Sequence, residues 1–168
     1  MSLLTADRLH EVLDYDAERG EFRWRESTTT TGRRRSRSGR RAGWVEPSGY
    51  VRITIDGQAY LAHRLAWLYV KGSWPTGELD HRNGDPGDFR IANLREATRS
   101  ENMQNLHGAH RDSRTGRLGV HYKRRCGLFA ASIMVDGVTR HLGYFRTAEA
   151  AETEYLKAKT TLHPFGGH

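Results

Sequence analysis

The chain has 168 residues, with 27 Lys and Arg against 20 Asp and Glu, a formal net charge of +7 and a single cysteine, Cys126. That length allows one good-sized domain or two small ones. One cysteine excludes a disulfide framework and any multi-cysteine zinc site, and the longest apolar run, Leu65 to Val70, is far too short to span a bilayer.

The N-terminal stretch MSLLTADRLHEVL lacks the basic start and long apolar core of a signal peptide, so a reducing cytoplasm is the expected location. A short helix opens the chain: Thr5 can cap it, and Leu9, Val12 and Leu13 share one face. Gly20 permits a turn into EFRWR, where Phe22 and Trp24 alternate with charges as in a strand. GRRRSRSGRR then sets Arg33, Arg34, Arg35, Arg37, Arg40 and Arg41 among small residues. Such a loop of guanidinium forks suits phosphate oxygens. With no lipid-anchor motif or basic amphipathic helix, the basic excess points to nucleic acid and not to a membrane. Next, Val51, Ile53 and Ile55 alternate with polar neighbours, Asp56-Gly57 supplies a hairpin turn, and Tyr60 and Ala62 continue on the return strand. From His63 the period changes, and Leu65, Trp67 and Leu68 predict a short packed helix ending near Gly72.

The stretch ELDHRNGD, Glu78 to Asp85, follows that helix. Alone it is either a polar connecting turn, since Asn-Gly is ordinary turn chemistry, or the edge of a reactive site. A short strand is predicted at Glu78 to His81 and a second near Asn93 to Arg95. A helix then starts at about Thr98, which with Glu101 forms a capping box. The order strand, loop, strand, helix can bring Asp80, His81 and Asn102 together although twenty-two positions separate Asp80 from Asn102. Phosphodiester cleavage needs an activated water and neutralisation of the developing charge. Asp and Asn oxygens suit a hard cation such as Mg²⁺. A neutral imidazole can accept the proton of the water near neutral pH.

The segment HRLAWLYVKGSWPTGELDHRNGDPGDFRIANLREATRSENMQN resembles the HNH endonucleases, in particular their phage and intron-encoded homing branch. The resemblance covers about 43 residues. It implies a ββα-metal fold with one divalent ion, Mg²⁺ or Mn²⁺, on Asp80 and Asn102, with His81 as general base. Asn93 would be structural, hydrogen-bonding across the loop to hold the histidine strand. Where many relatives have Asp-Asn-Arg this chain has Asp88-Phe89-Arg90, a loop change expected to leave the chemistry intact. His63, at the start of the segment, is expected to brace the fold.

From about Arg111, three strands are legible at Gly119 to Lys123, Leu128 to Val135 and Val138 to Phe145, with Gly127 and Asp136-Gly137 as turns. A helix follows, capped by Thr147, with Ala151, Tyr155 and Ala158 on one face. This part resembles the ethylene-response-factor (APETALA-like) DNA-binding domain at Gly119-Val120, Phe129 to Ile133, Leu142 to Phe145 and Thr147 to Ala151. The resemblance implies that alternate strand residues contact DNA, here His121, Lys123, Ser132, Met134, Thr139 and His141, with Arg125 nearby.

The expected fold is thus α+β: an N-terminal β-hairpin region joined to a ββα-metal core, then a small three-stranded antiparallel sheet plus one helix. The expected domains are an HNH unit over 1–110, with its core at about 73–107, and a DNA-binding unit over 111–168. The resemblances imply a monomeric nicking endonuclease of double-stranded DNA with no small-molecule cofactor and no membrane partner. A DNA-binding regulator that retains the fold without cleavage is the alternative. An RNA-binding module is disfavoured because aromatics do not cluster as stacking platforms on one predicted sheet face.

Overall fold

A computed structural model describes residues 3–25, 38–106, 108–109 and 112–163. The protein is α+β, with four helices and ten short strands among these residues, in small antiparallel sheets. It divides into two compact units, Met1–Glu96 and Ala97–His168. This division by compactness lies earlier in the chain than the functional boundary expected at 110/111.

In the first unit, Thr5 caps helix α1 (Ala6–Val12) by accepting from the Arg8 amide at 3.2 Å. The helix ends one residue before the expected apolar face does: Leu13, fully buried, opens strand β1 (Leu13–Asp16). β1 pairs with β2 (Glu21–Trp24) around Gly20. Gly20 has a φ of +63°, and a Cβ there would stand 2.7 Å from the Arg90 amide nitrogen. Strands β3 (Trp44–Val45), β4 (Val51–Ile55) and β5 (Gln58–Leu61) form a second antiparallel sheet. Its tight turn has positive φ at both Asp56 and Gly57, as a two-residue hairpin demands. Ala62, expected on the return strand, instead begins helix α2 (Ala62–Lys71), which stops at Gly72 in the left-handed conformation. Val51, Ile53 and Ile55 alternate inward to meet Leu65 and Leu68 of α2 and the fully buried Phe22.

Strands β6 (Glu78–His81) and β7 (Leu94–Ala97) make a two-stranded ladder. Asn93, expected on the second strand, ends a 3-10 turn at Ile91–Asn93 just before it. Phe89 is 1% exposed and stacks on Phe22 at 6.1 Å, while its carbonyl accepts from the Tyr15 hydroxyl at 2.7 Å. The phenylalanine in place of the usual asparagine therefore anchors the loop to the core, and other side chains supply the hydrogen bonds of the loop.

In the second unit, helix α3 (Arg99–Gln104) carries the complete capping box of Thr98 and Glu101. Strands β8 (Val120–Lys123), β9 (Leu128–Val135) and β10 (Val138–Phe145) form one antiparallel sheet in the order β10-β9-β8. Helix α4 (Ala148–Leu162), capped by Thr147, packs on it through Ala151 and Ala148 against Val120, Ala131, Leu142 and Phe145. Arg117 ties the preceding loop to α4 by pairing with Glu149 and Glu152, so this arginine braces the fold.

Gly119 lies just outside β8 because it has a φ of +70° and receives the Tyr155 ring. A Cβ at that position would stand 2.0 Å from Tyr155 Cδ2. Gly119→Ala combines overpacking with a disfavoured backbone region and should cost about 2 kcal/mol or more. Thermal unfolding of the variant checks this; an unchanged midpoint would show that Tyr155 can vacate the contact freely.

Candidate active site and nucleic-acid interface

Burial rises along β6, so that Asp80 and His81, adjacent in sequence and on opposite faces, both lie at its buried end, 8% and 6% exposed. The chain reverses directly after them: the Gly84 amide donates to the His81 carbonyl at 2.8 Å, with Gly84 at a φ of +70°. Asn93 closes the loop from the other side. Its Nδ2 donates to Asn83 Oδ1 (2.9 Å) and to the Asp88 carbonyl (2.8 Å), its Oδ1 accepts from the Asn83 amide (3.1 Å), and its carbonyl accepts from the Arg82 amide (2.9 Å). The Asn83 side chain in turn donates to Asp88 Oδ2 at 2.8 Å, and Asp88 holds Arg90 through both carboxylate oxygens. These hydrogen bonds around Asn93 fix the direction of β6 where it ends in His81.

Two neighbours of this corner were given no role by the sequence, although Arg95 belongs to the Asn-Leu-Arg run of the motif. Arg95, on the partner strand β7, places Nε at 2.8 Å and Nη2 at 2.6 Å from Asp80 Oδ2, with both side chains largely buried. Tyr50, just before β4, flanks two histidines, its ring centroid 5.4 Å from His63 and 6.0 Å from His81. The His63 and His81 rings meet edge to face at 4.9 Å. His63 does brace the fold from α2, but it braces the imidazole of the motif itself. The signal available was the helical register, which turns Ala62, Leu65, Ala66 and His63 inward together.

The electrostatics of the pair follow from this packing. Burial, followed by the positive charges that His81 and Arg64 would add, depresses the His63 pKa to about 3. Burial also lowers the His81 pKa, against the raising influence of Asp80, Asp85 and Asp88. Both rings are therefore neutral at pH 7, and His81 can accept a proton. Because the folded-state pKa lies below the unfolded value, the unfolded chain binds more protons between pH 6.5 and the folded pKa. Stability is full above that window and falls as pH drops through it. At pH 5 the loss from His63 alone should be about 2 kcal/mol. Chemical denaturation at pH 7.5 and pH 5 measures it, and His63→Phe should flatten the slope; an equal slope in both proteins would remove His63 as its source.

Metal chemistry can be tested against the donors present. Among the described residues no group of three or more His, Cys, Asp or Glu could hold an ion. The donor set is poor for zinc, and suits a cation that keeps several waters and takes one carboxylate plus substrate phosphates. Asp80 offers that carboxylate, with one oxygen shared with Arg95. Asn102 sits one turn into α3, in the second unit, followed by Asn105, which is 4% exposed and caps the helix through its amide.

The remaining expected contacts fall on the second unit. Cross-strand partners share a sheet face, so the register assigns faces directly. His121 pairs with Ala130, Lys123 with Leu128, Thr139 with Met134, His141 with Ser132 and Tyr144 with Ala130. Val120, Ala131 and Phe145 belong to the opposite face, packed on α4. His121, Lys123, Thr139, His141 and Met134 are exposed and lie together on the open face, and the exposed Tyr144 joins them, its ring centroid 4.5 Å from that of His141. None of the three strands contains an Asp or Glu. Arg125 lies in the exposed turn between β8 and β9. Arg33, Arg34, Arg35 and Arg37 lie outside the described residues.

No described helix is long and apolar enough to cross a membrane. No curated protein and no solved structure matches the chain. The stretch that holds His63, Asp80, His81, Asn93, Arg95 and Asn102, residues 60–104, matches the family model described as HNH endonuclease.

Proposed function

We propose that the protein is a metal-dependent endonuclease that hydrolyses phosphodiester bonds in double-stranded DNA. The observation that carries this reading is the neutral, buried His81 beside Asp80 at a strand end braced by Asn93, inside the stretch that matches the HNH endonucleases. In this reading His81 takes the proton of the attacking water, and its neutral form at pH 7 leaves it ready to do so. Tyr50 and His63 hold the ring in place, and Asn93 holds its strand. Asp80 and Asn102 would hold one Mg²⁺ or Mn²⁺; for Asn102 the support is its place in the motif. That ion, when bound, supplies positive charge against the oxygens that become negative as the bond breaks. One such centre acts on one strand per encounter, so a monomer nicks. A homing-type role in a phage, and work in the host cytoplasm, belong to the same reading.

The DNA-binding unit over 111–168 would present the open face of the β10-β9-β8 sheet to the duplex, as sheet readers do. Its support is the common face of His121, Lys123, Thr139 and His141, free of acidic residues. The arginines at 33–37 would add phosphate contacts. Replacing Lys123 by alanine should weaken duplex binding and lower the slope of log affinity against log salt by about 0.9. Fluorescence anisotropy over a salt series measures it, and an unchanged slope would take Lys123 off the DNA.

The direct test of the enzyme is nicking of supercoiled plasmid with Mg²⁺ or Mn²⁺. Relaxed circles should form, and a chelator should stop their formation. The second reading, a DNA-binding protein without cleavage, is favoured by one observation: Arg95 already neutralises the Asp80 carboxylate. Tight DNA binding with no nicking under any divalent ion would establish it.

A further inference from the structure

A groove of about 360 Å³ in the first unit, formed by Trp24, Arg40, Arg41, Gly43, Trp44 and Thr54, is used by none of the chemistry above. The chain closes it with backbone hydrogen bonds: the Trp24 amide donates to the Arg40 carbonyl at 3.0 Å, and the Gly39 amide to the Trp24 carbonyl at 2.8 Å. Trp24 and Arg40 are thereby held side by side. Across the groove, Trp44 pairs with Arg52, which puts the indole on the outward face of β4 that also carries Thr54. Gly43, at a φ of +100°, lets the chain lie against β4; a Cβ there would stand 2.7 Å from the Arg52 carbonyl and 2.9 Å from Val51 Cγ1. The backbone pairing and the glycine at 43 together set the floor of the groove.

Its lining is unusual for a solvated surface. Trp44 is 48% exposed, a large apolar ring left in water. Arg40 pairs with no carboxylate among the described residues, and Arg41 approaches only Glu21, at 3.8 Å, which is also shared with Arg23 at 3.1 Å. The other nearby acid, Glu46, is taken by Arg52 at 2.5 Å. Flat π faces and guanidiniums on one groove complement an unstacked base and its flanking phosphate, since every base offers a π face and Arg satisfies the phosphate. The volume lies at the small end of the range for ligand clefts.

We infer that this groove is a DNA subsite that takes one unpaired base on Trp44, with Arg40 and Arg41 on the adjoining phosphates. It rests on the reading of DNA as substrate and adds a preference for duplex that is gapped or opened. The test uses the full chain and a duplex with a short single-stranded gap carrying 2-aminopurine. Binding should quench the 2-aminopurine emission, and the gapped duplex should bind more tightly than the intact one. Trp44→Ala should lose the quenching and bind the gapped duplex roughly 5- to 100-fold more weakly, whereas Trp44→Phe should keep both. Arg40→Ala should weaken binding and reduce the salt slope by about 0.7 while keeping the quenching. Native quenching and affinity in Trp44→Ala would overturn the proposal, as would equal affinity for gapped and intact duplex. Plasmid nicking by the native protein is read in parallel. Quenching without nicking refutes the nuclease reading alone, and nicking with Trp44→Ala unchanged in binding refutes the groove alone.

Discussion

Replacing His81 by glutamine should lower the proposed nicking rate about 10²- to 10⁴-fold and leave affinity for duplex DNA within about threefold. That magnitude is what a positioned general base contributes to a proton transfer. Glutamine is chosen over alanine because His81 is 6% exposed, and a shorter side chain would open a cavity against His63 and Tyr50. Since the imidazole is already neutral at pH 7, the native rate should not rise through an ordinary histidine titration near pH 6.5. The inflection should lie lower, because burial disfavours the protonated ring. Single-turnover nicking with His81→Gln, over a pH series in the native protein, measures both points. Full activity in the variant would sink the assignment of His81 as base, whatever the family likeness.

Arg95→Met should cost about 3–5 kcal/mol of folding stability, the range for breaking a buried ion pair from one side. The Arg95 and Asp80 side chains retain only 14% and 10% of their exposure, so solvent can do little for a carboxylate that has lost its guanidinium. Removing both charges, with Arg95→Met and Asp80→Asn together, should recover much of that loss, because the cost comes from the uncompensated charge more than from the missing attraction. Urea unfolding of the two variants decides it. A single variant as stable as the native protein would mean that water or another cation reaches Asp80. Mg²⁺ should stabilise Arg95→Met more than the native chain, since a divalent ion can then take the place of the guanidinium beside the same carboxylate.

Much of the fold was legible because local rules and tertiary needs agree. Strands β6, β9 and β10 stand where the flanking turns and glycines put them. The capping box at Thr98 and the stop at Gly72 are local chemistry with one answer. Where context competes, the sequence misleads by a residue or more. Leu13 fits both a helix face and a strand start, and pairing with Trp24 decides for the strand. Trp44-Val45 is too short to show any period, and becomes a strand only because β4 lies beside it.

By itself, the sequence determined the kinds of chemistry this protein could perform. Asp80 and His81 at a strand end, an Asn-Gly reversal after them, a capped helix beyond, and a basic excess are all written in local order. The tertiary structure alone decided the surroundings of those groups. It set Arg95 against Asp80, turned His63 and Tyr50 onto His81, and gathered two tryptophans and two arginines into one groove. The physical reason is that a residue type follows from the sequence, while its charge state and partners follow from burial. Burial depends on segments far apart in the chain: Tyr50, His63 and His81 meet only after β4, α2 and β6 have packed.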